Sequence, residues 1–185
     1  MPTAGAQGCV RHRFSDWRLS GSASKEHLDE AQTNLPRWSW RGDKRVIKRC
    51  LTVPGRFESL AQIAEFVGET VRAANWSDDE VYHVQMAVDE ACSNVVEHAY
   101  GPGQQGDLEL TCCIEDQGDL VISIHDNGKP FDPTLVPEPP FGADLEDLPE
   151  GGLGLYFMRK LMDQVIFHFD DENGNVLTMV KRRRP

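Results

Sequence analysis

The chain has no run of 18 or more apolar residues, so no segment reads as a membrane-spanning helix. Its opening, MPTAGAQGCVRHRF, lacks the apolar stretch of a secretory leader, and a cytoplasmic location is expected. There is no CxxC pair among the five cysteines, Cys9, Cys50, Cys92, Cys112 and Cys113. An odd number of thiols without metal-ligand spacing argues for reduced side chains rather than a disulfide framework or a zinc site. A G-x-x-x-x-G-K-[ST] phosphate loop is missing, and so is any internal repeat. Positive charge is scarcest between Asp132 and Glu150, where 19 residues hold five prolines and six acids but no Lys or Arg.

What is present suits one globular domain with length to spare: 185 residues, 39% apolar and 26% charged. The net charge of −11 is unevenly spread. Residues 1–49 hold ten basic and five acidic residues, a net of +5, whereas residues 50–185 hold nine and twenty-five, a net of −16. An acidic body excludes phosphate-backbone binding as the main task and suits a basic protein partner.

Residues 1–44 are rich in Gly, Ser, Ala and Arg without an apolar period. They read as a poorly ordered basic tail, with Trp38 and Trp40 as anchoring rings. A domain follows over 45–185. KRVIKRCLTVP (44–54) reads as a strand. In residues 55–74, Leu60, Ile63, Ala64, Val67 and Val71 fall at helical spacing. Ser77 with Glu80 three residues on forms a capping box, predicting a second helix that runs to about Ala99 and stops at YGPGQQG. DLELTCCIED and DLVISIHD alternate and predict a hairpin. The acidic, proline-rich stretch 132–150 is too long for a plain connection and reads as a lid. A helix over 153–163 and a last hairpin turning at Asn173-Gly174 complete the order. Strand, two helices, two strands, lid, helix, two strands predicts an α/β (α+β) two-layer sandwich, with helices gathered on one face of a mixed sheet.

Three stretches carry candidate chemistry. In DEACSNVVEHAYG (89–101), Val81, Val84, Val88, Ala91 and Val95 supply a packing side, while Glu90 and Asn94 stand one turn apart on another, with His98 continuing the row. That row is either a solvated face or a pair in which an amide oxygen ligates Mg²⁺ and a carboxylate takes a proton. HDNGKPFD contains an Asn-Gly turn signal. Asp126 at the strand mouth could also accept a hydrogen bond from an exocyclic amine such as adenine's, and Gly128 has no Cβ to hold off a flat ring. EGGLGLYF is either a flexible loop before a helix or a cradle in which free N–H groups and the helix dipole favour phosphate. It is no dinucleotide fingerprint, since Phe157 stands where the third glycine belongs. Taken together the three fit one ligand, a Mg²⁺-bound adenine nucleotide.

DEACSNVVEHAY, DNGKPFD and EGGLGLYFMRKLMD, in this order and spacing, resemble the N, G1 and G2 boxes of the GHKL, or Bergerat-fold, ATPases. The length and the GGLGLYF wording are most similar to anti-sigma factor serine-protein kinases of the RsbW type. The resemblance covers about residues 46–183. It implies a sheet, mainly antiparallel, covered on one face by helices, with a mobile lid over ATP. It further implies Glu90 as general base, Asn94 as Mg²⁺ ligand, and Asp126 with Gly128 and Phe131 around adenine. Gly151, Gly152, Leu153, Gly154 and Leu155 would meet the phosphates. The implied function is an ATP-dependent serine-protein kinase that phosphorylates a STAS-type anti-anti-sigma protein and sequesters a sigma factor, with dimerisation implied as well. A non-catalytic ATP-binding partner-switch module is the alternative. A histidine-kinase catalytic half would need a long helical hairpin with a phospho-accepting His, and residues 1–44 carry His12 and His27 without one. Two departures stand out. Pro130 occupies a position where many relatives have a second glycine, and Asn175 follows Gly174 where many have a threonine that helps bind adenine through water. For His98 a structural hydrogen bond is expected.

Overall fold

The structure, a computed structural model, describes residues 47–100, 106–115, 117–130, 153–170 and 173–184. The chain divides into two units, Met1–Asp43 and Lys44–Pro185, and the described fold belongs to the second. The expected tail with Trp38 and Trp40, and the expected lid at 132–150, lie outside the described residues.

Five strands form one sheet in the order β1-β2-β3-β5-β4: β1 Ile47–Pro54, β2 Asp107–Ile114, β3 Leu120–Asp126, β4 Gln164–Asp170 and β5 Gly174–Lys181. Every pairing is antiparallel, so the expected mixed sheet resolves to an antiparallel one among the described strands. Three α-helices cover one face: α1 Leu60–Ala73, α2 Asp78–Asn94 and α3 Leu153–Leu161. A short 3-10 turn, Phe57–Ser59, leads into α1.

Alternation fixes which strand residues meet the helices. On β2, Leu108, Leu110, Cys112 and Ile114 are buried while the residues between them are not. On β3, Leu120, Ile122, Ile124 and Asp126 are the buried set, and Asp126 is the only polar residue in it. These apolar residues join Ile63, Val67 and Val71 of α1, Val81, Val84, Val88 and Ala91 of α2, and Leu155 and Met158 of α3 in one core. Each fully buried valine contributes roughly 2 kcal/mol. The sheet's other face carries hydrogen-bonding hydroxyl residues, including a Ser123–Thr178 pair at 3.5 Å.

Helix α2 starts where the capping box predicts. The Glu80 carboxylate accepts from the Ser77 N–H at 3.0 Å, and the Ser77 hydroxyl accepts from the Glu80 N–H at 3.4 Å. Asp78, Asp79 and Glu80 in the first turn complement the helix dipole. The Ser77 hydroxyl also donates to that carboxylate at 2.7 Å, and this bond, with the Ser77 N–H, holds the Glu80 carboxyl below its ordinary range. The helix does not continue unchanged to Ala99. After Asn94 the chain widens into a π-helical turn, Val95–Tyr100. At the start of α2, Asn75 takes a left-handed conformation (φ 58), tolerable for an asparagine side chain. Arg183 ties that turn by donating to the Ala74 and Asn75 carbonyls at 2.8 and 3.0 Å. No helix among the described residues is long and apolar enough to cross a membrane.

Candidate active site

Two corners of the helix-covered face hold the polar residues that the packing leaves over. At the first, Asp126 ends β3 and is 5% exposed. Its Oδ1 accepts from the Gly128 N–H at 2.8 Å and from the Asn175 side-chain amide at 2.9 Å. The same amide donates its other hydrogen to the Gly128 carbonyl at 3.0 Å. The turn after Asp126 is thus tied at both ends of Gly128.

This turn also hangs on the π-helical segment. The Lys129 N–H donates to the Ala99 carbonyl at 2.9 Å, and the Asn127 N–H to the Tyr100 hydroxyl at 3.4 Å. That hydroxyl in turn donates to the Asp107 carbonyl at 2.7 Å. Burial, with Asp126 and other carboxylates nearby, pushes the Tyr100 hydroxyl up to about 12, so it keeps its proton. A Cβ on Gly128 would lie 2.6 Å from the Ala99 Cβ and 2.8 Å from its carbonyl carbon and oxygen. The glycine therefore answers to the close approach of the helix end. Gly174, at φ +81, is needed twice: for its left-handed backbone, and because a Cβ would sit 2.5 Å from the Asp126 carbonyl oxygen.

At the second corner, Glu90 and Asn94 are half-buried on α2, one turn apart. Gly154, in the first turn of α3, lies directly against them. A Cβ there would collide with the Glu90 Oε2 and come within 3.6 Å of the Asn94 amide nitrogen. The first turn of a helix presents unpaired N–H groups. The glycine lets that turn approach the carboxylate and amide, leaving a cradle that any side chain would fill. Burial, then the charges of Asp89 and Glu97, raises the Glu90 carboxyl above its ordinary range. Among the described residues neither Glu90 nor Asn94 makes a side-chain hydrogen bond, so both remain available to a ligand.

The structure thus brings Glu90, Asn94 and Gly154 together at one corner and Asp126 with Gly128 at the other. Leu155 is a core residue, so only its backbone faces the cradle, while Leu153 is partly exposed. Phe131, Gly151 and Gly152 lie outside the described residues. His98 is exposed and stands 3.7 Å from the Glu97 carboxylate. The structural hydrogen bond expected of it is not found among the described residues. Two residues that the motifs did not flag as contributors, Asn175 and Tyr100, frame the Asp126 corner. Asn175 had a signal: counting back by twos from the apolar Leu177 and Met179 puts a polar side chain at an inward position. Tyr100 had none beyond its place as the last residue of DEACSNVVEHAY.

A buried carboxylate at a strand mouth and a glycine-walled cradle beside an acid and an amide fit the two ends of a nucleotide. The chain is similar to known proteins. The family model for the histidine kinase-like ATPase domain matches residues 53–181. The chain belongs to that family, in the group of the RsbW serine-protein kinases. The serine-protein kinase RsbW of Halalkalibacterium halodurans is 34% identical over 136 residues, 71% of this chain and 80% of that protein. The serine/threonine-protein kinase BtrW of Bordetella bronchiseptica is 33% identical over 110 residues, 60% of this chain and 76% of its own. RsbW of Bacillus subtilis is 31% identical, over 71% and 82% of the two chains. Among solved structures, the RsbU and RsbW domains of Rv1364c from Mycobacterium tuberculosis superpose with a TM-score of 0.55. That match covers 75% of this chain and 33% of the other at 16% identity, a likeness of fold.

Proposed function

We propose that the chain is an ATP-dependent serine-protein kinase that phosphorylates a STAS-type antagonist protein and, in its other state, sequesters a sigma factor, acting in the cytoplasm. The observation that carries this reading is the contact of Gly154 with Glu90 and Asn94, which sets a bare helix start against a proton acceptor and a metal-ligating amide.

In this reading Asp126 accepts a hydrogen bond from the exocyclic amine of adenine. The first turn of α3, with Leu153, Gly154 and the Leu155 backbone, offers N–H groups to phosphate oxygens, and Gly151 and Gly152, which precede it in the sequence, would add theirs. Asn94 offers its amide oxygen to Mg²⁺. Among the described residues no cluster of three or more His, Cys, Asp or Glu could hold a metal alone. Phosphate oxygens and water would complete an octahedral shell that one amide only begins. Mg·ATP supplies the phosphoryl group and the neutralising charge, and the protein's share is positioning. Glu90 takes the proton from the serine hydroxyl of the partner as that oxygen becomes the nucleophile. Its raised pKa makes it a better acceptor than an ordinary carboxylate. The net charge of −16 on residues 50–185 supports docking of a basic surface on the partner.

Incubating the chain with Mg·ATP and candidate STAS-domain proteins tests this directly. Phosphoserine on one of them, lost with Glu90→Ala, is the expected result. Normal ATP binding without phosphate on any STAS protein would overturn the kinase reading and leave a binding module.

A further inference from the structure

Strand β5 points Asn175, Leu177 and Met179 toward the helices, and only Asn175 is polar. It is 7% exposed, and a buried amide is tolerated only when its hydrogen bonds are made. Both of its N–H groups are spent on the Asp126 turn, at 2.9 Å to Asp126 Oδ1 and 3.0 Å to the Gly128 carbonyl. Asn175 and Asp126 face each other in the β3–β5 register, so neither can drift along its strand. With the Gly128 N–H at 2.8 Å, Oδ1 receives two donors. Among the described residues Oδ2 receives none.

We infer that Asn175 is a positioning residue that sets the nucleobase preference of the site, by fixing the Asp126 carboxylate with Oδ2 as its outward acceptor. The inference rests on the proposed nucleotide reading of Asp126. Its chemistry is that of an acceptor held still. Oδ2 meets an exocyclic amine favourably and a ring carbonyl unfavourably, because two acceptor oxygens repel. Without the Asn175 amide, Oδ1 keeps one donor, the carboxylate can turn, and the Gly128 peptide loses its second tie. A carboxylate free to turn no longer holds its acceptor on the amine, so discrimination falls mainly through loss on the amine-bearing base.

Calorimetric titration of the wild-type chain, Asn175→Ala and Asn175→Val with Mg·ATP and with Mg·ITP, whose base carries an oxygen in place of the amine, separates the possibilities. Valine is at home in a strand facing a core, so Asn175→Val is the variant that keeps the fold if alanine does not. The expected result is a wild-type preference for ATP that drops about tenfold or more in both variants, with ITP affinity changed little, since a hydrogen bond to a charged group is being misaligned. Equal weakening of ATP and ITP would mean that Asn175 only holds the hairpin, and would overturn the inference. So would an ATP-to-ITP ratio that survives both substitutions. A wild-type chain that binds both nucleotides alike would instead sink the reading of Asp126, and this inference with it.

Discussion

The two corners of the site are built in opposite ways. Asp126 is buried, pinned by a peptide N–H and an amide, and backed by a turn that is bonded to the end of the π-helical segment. Glu90 and Asn94 are half-exposed, and the bare Gly154 lies against them. The first corner is preorganised, which suits recognition of a rigid ring. The second is left open, which suits phosphates and a metal that arrive with their own charges and water. Preorganised groups bind without further ordering, whereas unpaired ones stay free to change protonation state. In the proposed function, the contrast would separate recognition from chemistry along one helix and its neighbours.

The largest effect should come from the open corner. Glu90→Gln removes the proton acceptor while keeping shape, and phosphoryl transfer should fall by roughly 10²–10⁴-fold with ATP affinity little changed. A phosphorylation time course with a parallel binding titration checks both halves. Loss of ATP binding in that variant would erase the distinction between the corners. At the pinned corner the pattern should reverse. Asp126→Asn weakens ATP binding by about tenfold or more, because a charged acceptor becomes a neutral one, and transfer at saturating ATP should suffer far less.

The glycines sharpen the comparison further. In Gly128→Ala the new methyl meets the Ala99 backbone, which cannot step aside, so a loss of about 1–3 kcal/mol of stability is expected in chemical denaturation. In Gly154→Ala the methyl meets the far end of the Glu90 side chain, which can swing away. That variant should melt nearly as the wild type does and lose transfer activity. Similar destabilisation in both would show that the open corner is as tightly packed as the pinned one.

The smallest effect concerns Glu90 and pH. Its folded-state pKa lies above the ordinary value of 4.5, so folding disfavours the ionised form. Stability from this group is present at low pH and is lost as pH rises from the unfolded value through the folded one. Glu90→Gln should therefore melt slightly higher than wild type at pH 7, and the gain should vanish below about pH 4. Thermal melts at both pH values check it. The same titration predicts that transfer in the wild type rises with pH across that window, as the acceptor loses its proton.

The element order and the hairpin turn at Asn173-Gly174 were legible in the sequence because periodicity and turn chemistry are local. The helix start at Ser77 was legible for the same reason. Local pattern could not show that α2 opens into a π-helical turn after Asn94, since VVEHAY is equally compatible with either winding and the choice is made by packing. The antiparallel β1–β2 and β3–β5 pairings likewise depend on contacts distant in sequence. The residues of the motifs could be picked out from their types, but why each glycine is there could not. Gly128 reads as room for a ring, and the structure adds that it is room for Ala99. Asn175 reads as a departure from a threonine and proves to be a two-armed tie on the turn that ends in Asp126.

The Tyr100 ring ends the π-helical turn in a slot whose two walls are both glycine. A Cβ on Gly55 or on Gly106 would run into the ring, and the phenol oxygen links the start of β2 to the turn after Asp126. The three positions therefore form a single unit of inheritance. A descendant chain can enlarge residue 55 or 106 only after residue 100 has shrunk, and a shrunken residue 100 gives up the hydroxyl that the Asn127 N–H uses. Divergence at this spot has to proceed by paired changes through a weakened intermediate, and two glycines outside the motifs become as hard to replace as the residues of the site itself.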